Sequence, residues 1–207
     1  MHIYVFGSVC RGEVDLSSDV DLLAITDKNQ TSFNPDVYSI YSYKKINSLW
    51  SEGNPFAWHL FAEARLAFAS DASDYIKGLG QPAVYKKCAV DCQKFSDLFS
   101  DAMKALDQEG CSTVFELSNM FLAMRNFATC YALGIQGDLV FSRDAALHIG
   151  KKSVPIEMTT HSLLEHARIL STRGIGQAPN LRVEPHVNEI KKIHSWMIAL
   201  LEEVRNG

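Results

Sequence analysis

A run of strand-forming residues, His2-Ile3-Tyr4-Val5-Phe6, stops at Gly7-Ser8, and after ten further residues Asp19 and Asp21 flank the start of a second such run, Val20 to Thr26. This arrangement constrains the chain more than any other feature. Residues two apart on a strand share a face, so Asp19 and Asp21 are expected to project together while Val20 and Leu22 turn the opposite way, into a core. Adjacent carboxylates repel unless cations sit between them. Hard oxygen donors of this kind suit Mg²⁺, which takes one or two protein carboxylates and completes its shell with water and phosphate oxygens. Gly7 allows a backbone to approach a ligand closely, and a helix starting after it would offer N–H groups to a phosphate. Ser8 adds a hydroxyl, and Arg11, one helical turn further on, is the nearest cation. A phosphate cradle beside a metal-binding carboxylate pair describes a nucleoside triphosphate site.

Around this feature the chain reads as α+β. Asp36 to Tyr43 (DVYSIYSY) is rich in Val, Ile and Tyr and is expected to form a third strand. Asn54 to Ala69 carries Phe56, Leu60, Phe61, Ala64 and Phe68 at helical spacing, with Asn54 as cap and Pro55 in the first turn. Lys77-Gly78-Leu79-Gly80-Gln81-Pro82 is the strongest punctuation in the first half, and it divides the chain into expected domains at 1–80 and 81–207. Beyond it, amphipathic helices are expected over Val84 to Leu106 and Thr113 to Leu133. A third is expected around Leu163 to Leu170, and a last through Ile190, Ile193, Met197, Leu200 and Val204. Four such helices predict a bundle. The connections Gly134 to Lys152 and Thr172 to Pro185 are long and polar.

The spacing of Gly7-Ser8 and Asp19-Val20-Asp21-Leu22 resembles the signature of the DNA polymerase β-type nucleotidyltransferases. Arg11-Gly12 and Ser18-Asp19 are similar to the small bacterial branch that includes the minimal and aminoglycoside nucleotidyltransferases. The likeness covers about the first 70 residues. It implies a small mixed β-sheet nucleotidyltransferase core with flanking helices, to which an α-helical bundle is appended. The implied reaction moves a nucleoside monophosphate from an NTP to a hydroxyl of a small-molecule or protein acceptor, with release of pyrophosphate. Two Mg²⁺ ions, or Mn²⁺ in their place, would assist. Gly7, Ser8, Arg11 and Ser18 would then hold the triphosphate. Asp19 and Asp21 would bind both metals, and Asp36, the one acid in the third strand, would complete the catalytic and metal-binding triad. The alternative is a catalytically degenerate relative acting as a binding or antitoxin-like partner, with a homodimer or partner protein engaging the helical domain.

The remaining composition narrows the classes. Twenty Lys and Arg against 24 Asp and Glu give a net charge of -4, which makes nucleic acid a less favoured partner than a cationic small acceptor. No stretch approaches the roughly 18 apolar residues of a membrane span, so a cytoplasmic protein with no membrane partner is expected. The five scattered cysteines read as reduced thiols. The seven histidines lack zinc-ligand spacing. Arg125 is expected to be structural, since Phe127 to Leu133 contains no histidine to pair with it for RNA cleavage. Glu63 and Glu116 are candidate general bases.

Overall fold

The computed structural model describes residues 1–14, 19–27, 33–173 and 181–206. It divides into two compact units, Met1–Lys86 and Lys87–Gly207. The first unit is built on a four-stranded mixed sheet made of β1 (His2–Phe6), β2 (Asp21–Ile25), β3 (Tyr38–Tyr41) and β4 (Arg65–Ala69), in the order β3-β2-β1-β4. β1 is antiparallel to both β2 and β4, and β2 runs parallel to β3. The helices of this unit are the single-turn α1 (Ser8–Arg11), α2 (Tyr43–Ser51), α3 (Pro55–Glu63) and α4 (Tyr75–Leu79). The second unit holds α5 (Cys88–Ala105), α6 (Thr113–Tyr131), α7 (Met158–Arg173) and α8 (Val187–Asn206). The α+β class and the division into sheet and helical regions are as the sequence implies.

Side-chain alternation decides which face of the sheet is covered. His2, Tyr4 and Phe6 are buried on β1 and lie opposite Ile25, Leu23 and Asp21 of β2. Tyr4, Phe6, Leu23 and Ile25 pack with Ile46, Leu49 and Trp50 of α2 and with Ala57 and Leu60 of α3. Each large aliphatic side chain buried there contributes roughly 1.5–3 kcal/mol. The helix-covered face is therefore the one that carries Asp21. The expectation that Val20 and Leu22 face the core is corrected, because Val20 is exposed and Leu22 only half-buried while Leu23 and Ile25 are fully enclosed. Asp21 sits at the rim of this face, half-buried and paired with the core residue Phe6.

Two further expectations change. The third strand is shorter than Asp36 to Tyr43: Pro35 to Val37 form a turn, and Ser42 accepts a hydrogen bond from Lys45 N at 3.1 Å to cap α2. The Tyr-rich composition resembled continued strand, whereas the placement of Ile46, Leu49 and Trp50 on one side of a helix decides the local structure. The long helix expected from Asn54 ends at Glu63. Ala64 is extended (φ -63°, ψ 137°), and the following residues form β4 against β1. Asn54 does cap α3, with its side chain accepting from Phe56 N at 2.9 Å and Pro55 in the first turn.

Gly53 joins α2 to α3 at φ +62°, and a Cβ added there would lie 2.7 Å from the Val84 carbonyl carbon and closer still to the Ala83 and Val84 oxygens. Backbone atoms cannot swing aside as a side-chain tip can. Gly53→Ala is expected to lower stability by about 2 kcal/mol or more, read as a fall in thermal midpoint; an unchanged midpoint would show that the 83–84 segment yields without cost.

In the helical unit, α6 is apolar almost all round, burying Leu117, Met120, Phe121, Met124, Phe127 and Tyr131, as a central helix must. It packs against α5, α7 and α8. α8 contributes Ile190, Ile193, Trp196, Met197 and Leu200 from one face. Arg125 donates to the carbonyls of Phe141 (3.0 Å) and Ser142 (3.2 Å), holding the loop after α6 in place. All five cysteines are free thiols. No helix among the described residues is long and apolar enough to cross a membrane.

Candidate active site

β1 ends, and β2, β3 and β4 begin, at the same end of the sheet, so the segments after Phe6 and before Asp21, Tyr38 and Arg65 meet there. Gly7 turns the chain out of β1 at φ +79°, ψ -151°, a backbone region open essentially to glycine alone. The same position is sterically closed. A Cβ on Gly7 would lie 3.2 Å from Asp21 Cγ and collide with Oδ2. Thus the Asp21 carboxylate rests directly against the Gly7 backbone, bringing together the two halves of the sequence signature.

Ser8 opens α1, and the turn closes through Cys10 N to Gly7 O at 3.0 Å and Glu13 N to Ser8 O at 3.0 Å. The Cys10 thiol, donating to Val5 O at 3.4 Å, is pushed to higher pKa by burial. Arg65 and Arg11 lower it, and Glu63 and Asp21 raise it further. Those four charges surround the turn. Asp19 is exposed and lies two residues ahead of the first residue of β2. Ser18 lies outside the described residues.

Asp36 is on the exposed turn before β3, its N–H donating to Asn34 Oδ1 at 3.0 Å. The pairing of β2 with β3 begins at Leu22 and Tyr38, so Asp36 lies ahead of the ladder, in the turn that precedes β3. Among the described residues, no three His, Cys, Asp or Glu side chains gather so as to hold a metal ion. Asp19 and Asp21 nevertheless offer the hard oxygens that a Mg²⁺ arriving with a triphosphate needs, because such an ion keeps much of its shell as water and phosphate. The Gly7 cradle beside Asp21 fits that mode of binding.

Arg11 is more tightly engaged than its position in the sequence suggests. Its Nε donates to Glu13 Oε2 at 2.7 Å and its Nη1 to Glu63 Oε2 at 2.6 Å. The same Glu63 oxygen bonds His59 Nε2 at 2.8 Å. Burial works against the Arg11 charge, but the Glu13 and Glu63 carboxylates outweigh it and raise its pKa. Glu63 is only 8% exposed. Its spacing from His59 places both on one side of α3, a signal visible in the sequence, but the distant partner Arg11 is not. The other general-base candidate, Glu116, lies in the first turn of α6 and accepts from Asn119 Nδ2 at 3.5 Å. Arg65, which the sequence reading passed over, starts β4 opposite Val5 and donates to Ala64 O at 3.1 Å.

Burial alone would raise the Glu63 pKa, but His59 and Arg11 together hold it below the ordinary glutamate value of 4.5. A depressed folded-state pKa stabilises the protein above the unfolded value, and that contribution is lost as pH falls through the folded value. Glu63→Gln should consequently be less stable than the parent at neutral pH, the gap closing as pH falls below the ordinary glutamate value of 4.5 and through the lower folded-state value. Urea midpoints across that range provide the check, and a pH-independent gap would remove the ionic contribution.

Residues 2–79 match the family model described as a nucleotidyltransferase domain. This match bears out the resemblance read from Gly7-Ser8 and Asp19-Val20-Asp21-Leu22. No curated protein is similar enough to the chain to count as a match.

Proposed function

We propose, from the nucleotidyltransferase domain at residues 2–79, that this chain transfers a nucleoside monophosphate from an NTP to a hydroxyl group of a small-molecule or protein acceptor. The acceptor oxygen bonds to the α-phosphorus as the bond to the departing pyrophosphate breaks. The observation that carries the reading is the Asp21 carboxylate seated against the Gly7 backbone, since chemistry at a phosphate needs the metal-binding oxygen and the phosphate cradle side by side.

In this reading Gly7 and Ser8 hold the triphosphate, and Asp19 and Asp21 hold Mg²⁺ against it. A divalent cation so bound would lower the pKa of the acceptor hydroxyl and neutralise charge on the triphosphate. Arg65, whose charge reaches α1, supplies positive potential near the phosphates. The protein's own task is then alignment of acceptor and phosphorus in a fixed electrostatic frame. The net charge of -4 favours a cationic acceptor over nucleic acid.

A second reading, a nucleotidyltransferase fold that binds without turnover, is supported by the position of Asp36 on the exposed turn. One experiment separates the two. Each of the four common NTPs is titrated with Mg²⁺ into the parent chain and into Asp19→Ala/Asp21→Ala, and pyrophosphate release is followed against a panel of cationic hydroxyl compounds and proteins. The proposal expects Mg²⁺-dependent binding that the double variant loses, together with pyrophosphate release. Binding without release supports the second reading, and undiminished binding by the double variant overturns the site.

A further inference from the structure

We propose that Arg11 acts as a positioning residue rather than a phosphate ligand, clamped by Glu63 of α3 so that the Gly7–Glu13 turn keeps the shape needed to receive a triphosphate; this rests on the nucleotidyltransferase reading above. The starting point is the weakness of α1. It has four residues, and a single helical turn pays the nucleation cost with almost no propagation to offset it. It closes on itself through bonds from Cys10 N, Glu13 N and Gly12 N to the Gly7, Ser8 and Val9 carbonyls, the last long at 3.3 Å. Something outside the turn must hold it.

The Arg11–Glu63 ion pair does so. Arg11 is the last residue of α1, and Glu63 is the last of α3. α3 is itself anchored to the sheet: Ala57 and Leu60 are fully buried, and Phe6 meets Phe56 and His59 edge-on at 5.8 and 5.5 Å. His59 Nε2 meets the same Glu63 oxygen that Arg11 holds, so the carboxylate is tied to its own helix as well as to the turn. The result is a continuous connection from the sheet core through His59 and Glu63 to the turn that carries Gly7 and Ser8.

Charge argues the same way. Two carboxylates, Glu13 and Glu63, engage one guanidinium, leaving no surplus positive charge for a triphosphate. A partly buried guanidinium bonded at 2.6 and 2.7 Å would have to give up charge-assisted bonds to reach a phosphate. The two roles make opposite predictions for the partner residue. If Arg11 is a clamp, loss of Glu63 loosens the turn and weakens nucleotide binding. If Arg11 is a phosphate ligand held back by Glu63, loss of Glu63 frees the guanidinium and strengthens binding.

The test uses the full chain and the variants Arg11→Ala, Glu63→Ala, Glu63→Gln and the double alanine, with two independent readouts. Amide hydrogen exchange over residues 8–13 is expected to accelerate roughly tenfold in each alanine variant, with α5 to α8 unchanged. The dissociation constant for each Mg²⁺–NTP, by calorimetry, is expected to rise roughly tenfold in each single alanine variant and no further in the double, because one coupled unit is being removed. Glu63→Gln, which retains an acceptor for Arg11, guards against failure to fold and is expected to fall between parent and Glu63→Ala. Unchanged exchange at residues 8–13 in both Glu63 variants, or tighter nucleotide binding in either, overturns the clamp. If the parent chain binds no NTP, the proposed function fails instead, and the exchange measurement alone decides whether Arg11 and Glu63 hold the turn.

Discussion

Asp21→Asn is expected to abolish Mg²⁺-dependent NTP binding and to lower nucleotidyl transfer by on the order of a thousandfold or more. The substitution keeps the side chain's shape, and asparagine can still rest against Gly7, so the fold and its stability should change little. What disappears is the negative charge that draws a cation to the end of β2. Asp21 is half-buried at the rim of the helix-covered face, where water screens its charge less than it screens that of the exposed Asp19. Asp19→Asn is therefore expected to be the milder of the two. Circular dichroism and thermal unfolding alongside turnover provide the check. Retained turnover in Asp21→Asn would mean that the chemistry lies elsewhere on the chain.

Gly7→Ala is expected to have the second-largest effect, for reasons independent of charge. Its backbone, at φ +79° and ψ -151°, costs a non-glycine residue about 1–3 kcal/mol. The new methyl group would also meet Asp21 Oδ2. A carboxylate tip can rotate away where backbone cannot, so the chain should still fold, with a lowered melting temperature and with Asp21 displaced from the cradle. Loss of that geometry is expected to reduce transfer at least a hundredfold, on the scale of small misplacements at reacting centres. The diagnostic comparison is with Gly53→Ala, which is strained against main chain far from the aspartates in sequence and should destabilise without a matching loss of per-molecule activity.

These outcomes bear on what could be read from residues alone. The Gly7-Ser8 and Asp19-Val20-Asp21-Leu22 motif was legible as a family resemblance because it is local: a strand ends at a glycine, another begins at two acids, and the spacing between them is set by the chain. The helical half was legible for a similar reason, since α5, α6 and α8 announce themselves through apolar spacing over 18 to 20 residues. Where the reading failed, the local signal was ambiguous. Tyr38-Ser39-Ile40-Tyr41-Ser42-Tyr43 is strand-like throughout, yet a serine cap and the contacts of Ile46 and Trp50 convert its end to helix. Arg65 to Ala69 can follow either a helical or a strand pattern; pairing with β1 decides for strand.

The sequence by itself determined the α+β class, the order of sheet and helices, and the residue types available for phosphate and metal chemistry. Each of these depends on periodicity, turn propensity or side-chain chemistry within a short window. Tertiary structure alone decided which sheet face α2 and α3 cover, that Asp21 rests against Gly7, that Asp36 stays on an exposed turn, and that Glu63 reaches Arg11 across the fold. Each of those depends on register and packing between segments far apart in the chain, where a shift of one residue in strand pairing moves a carboxylate to the opposite face.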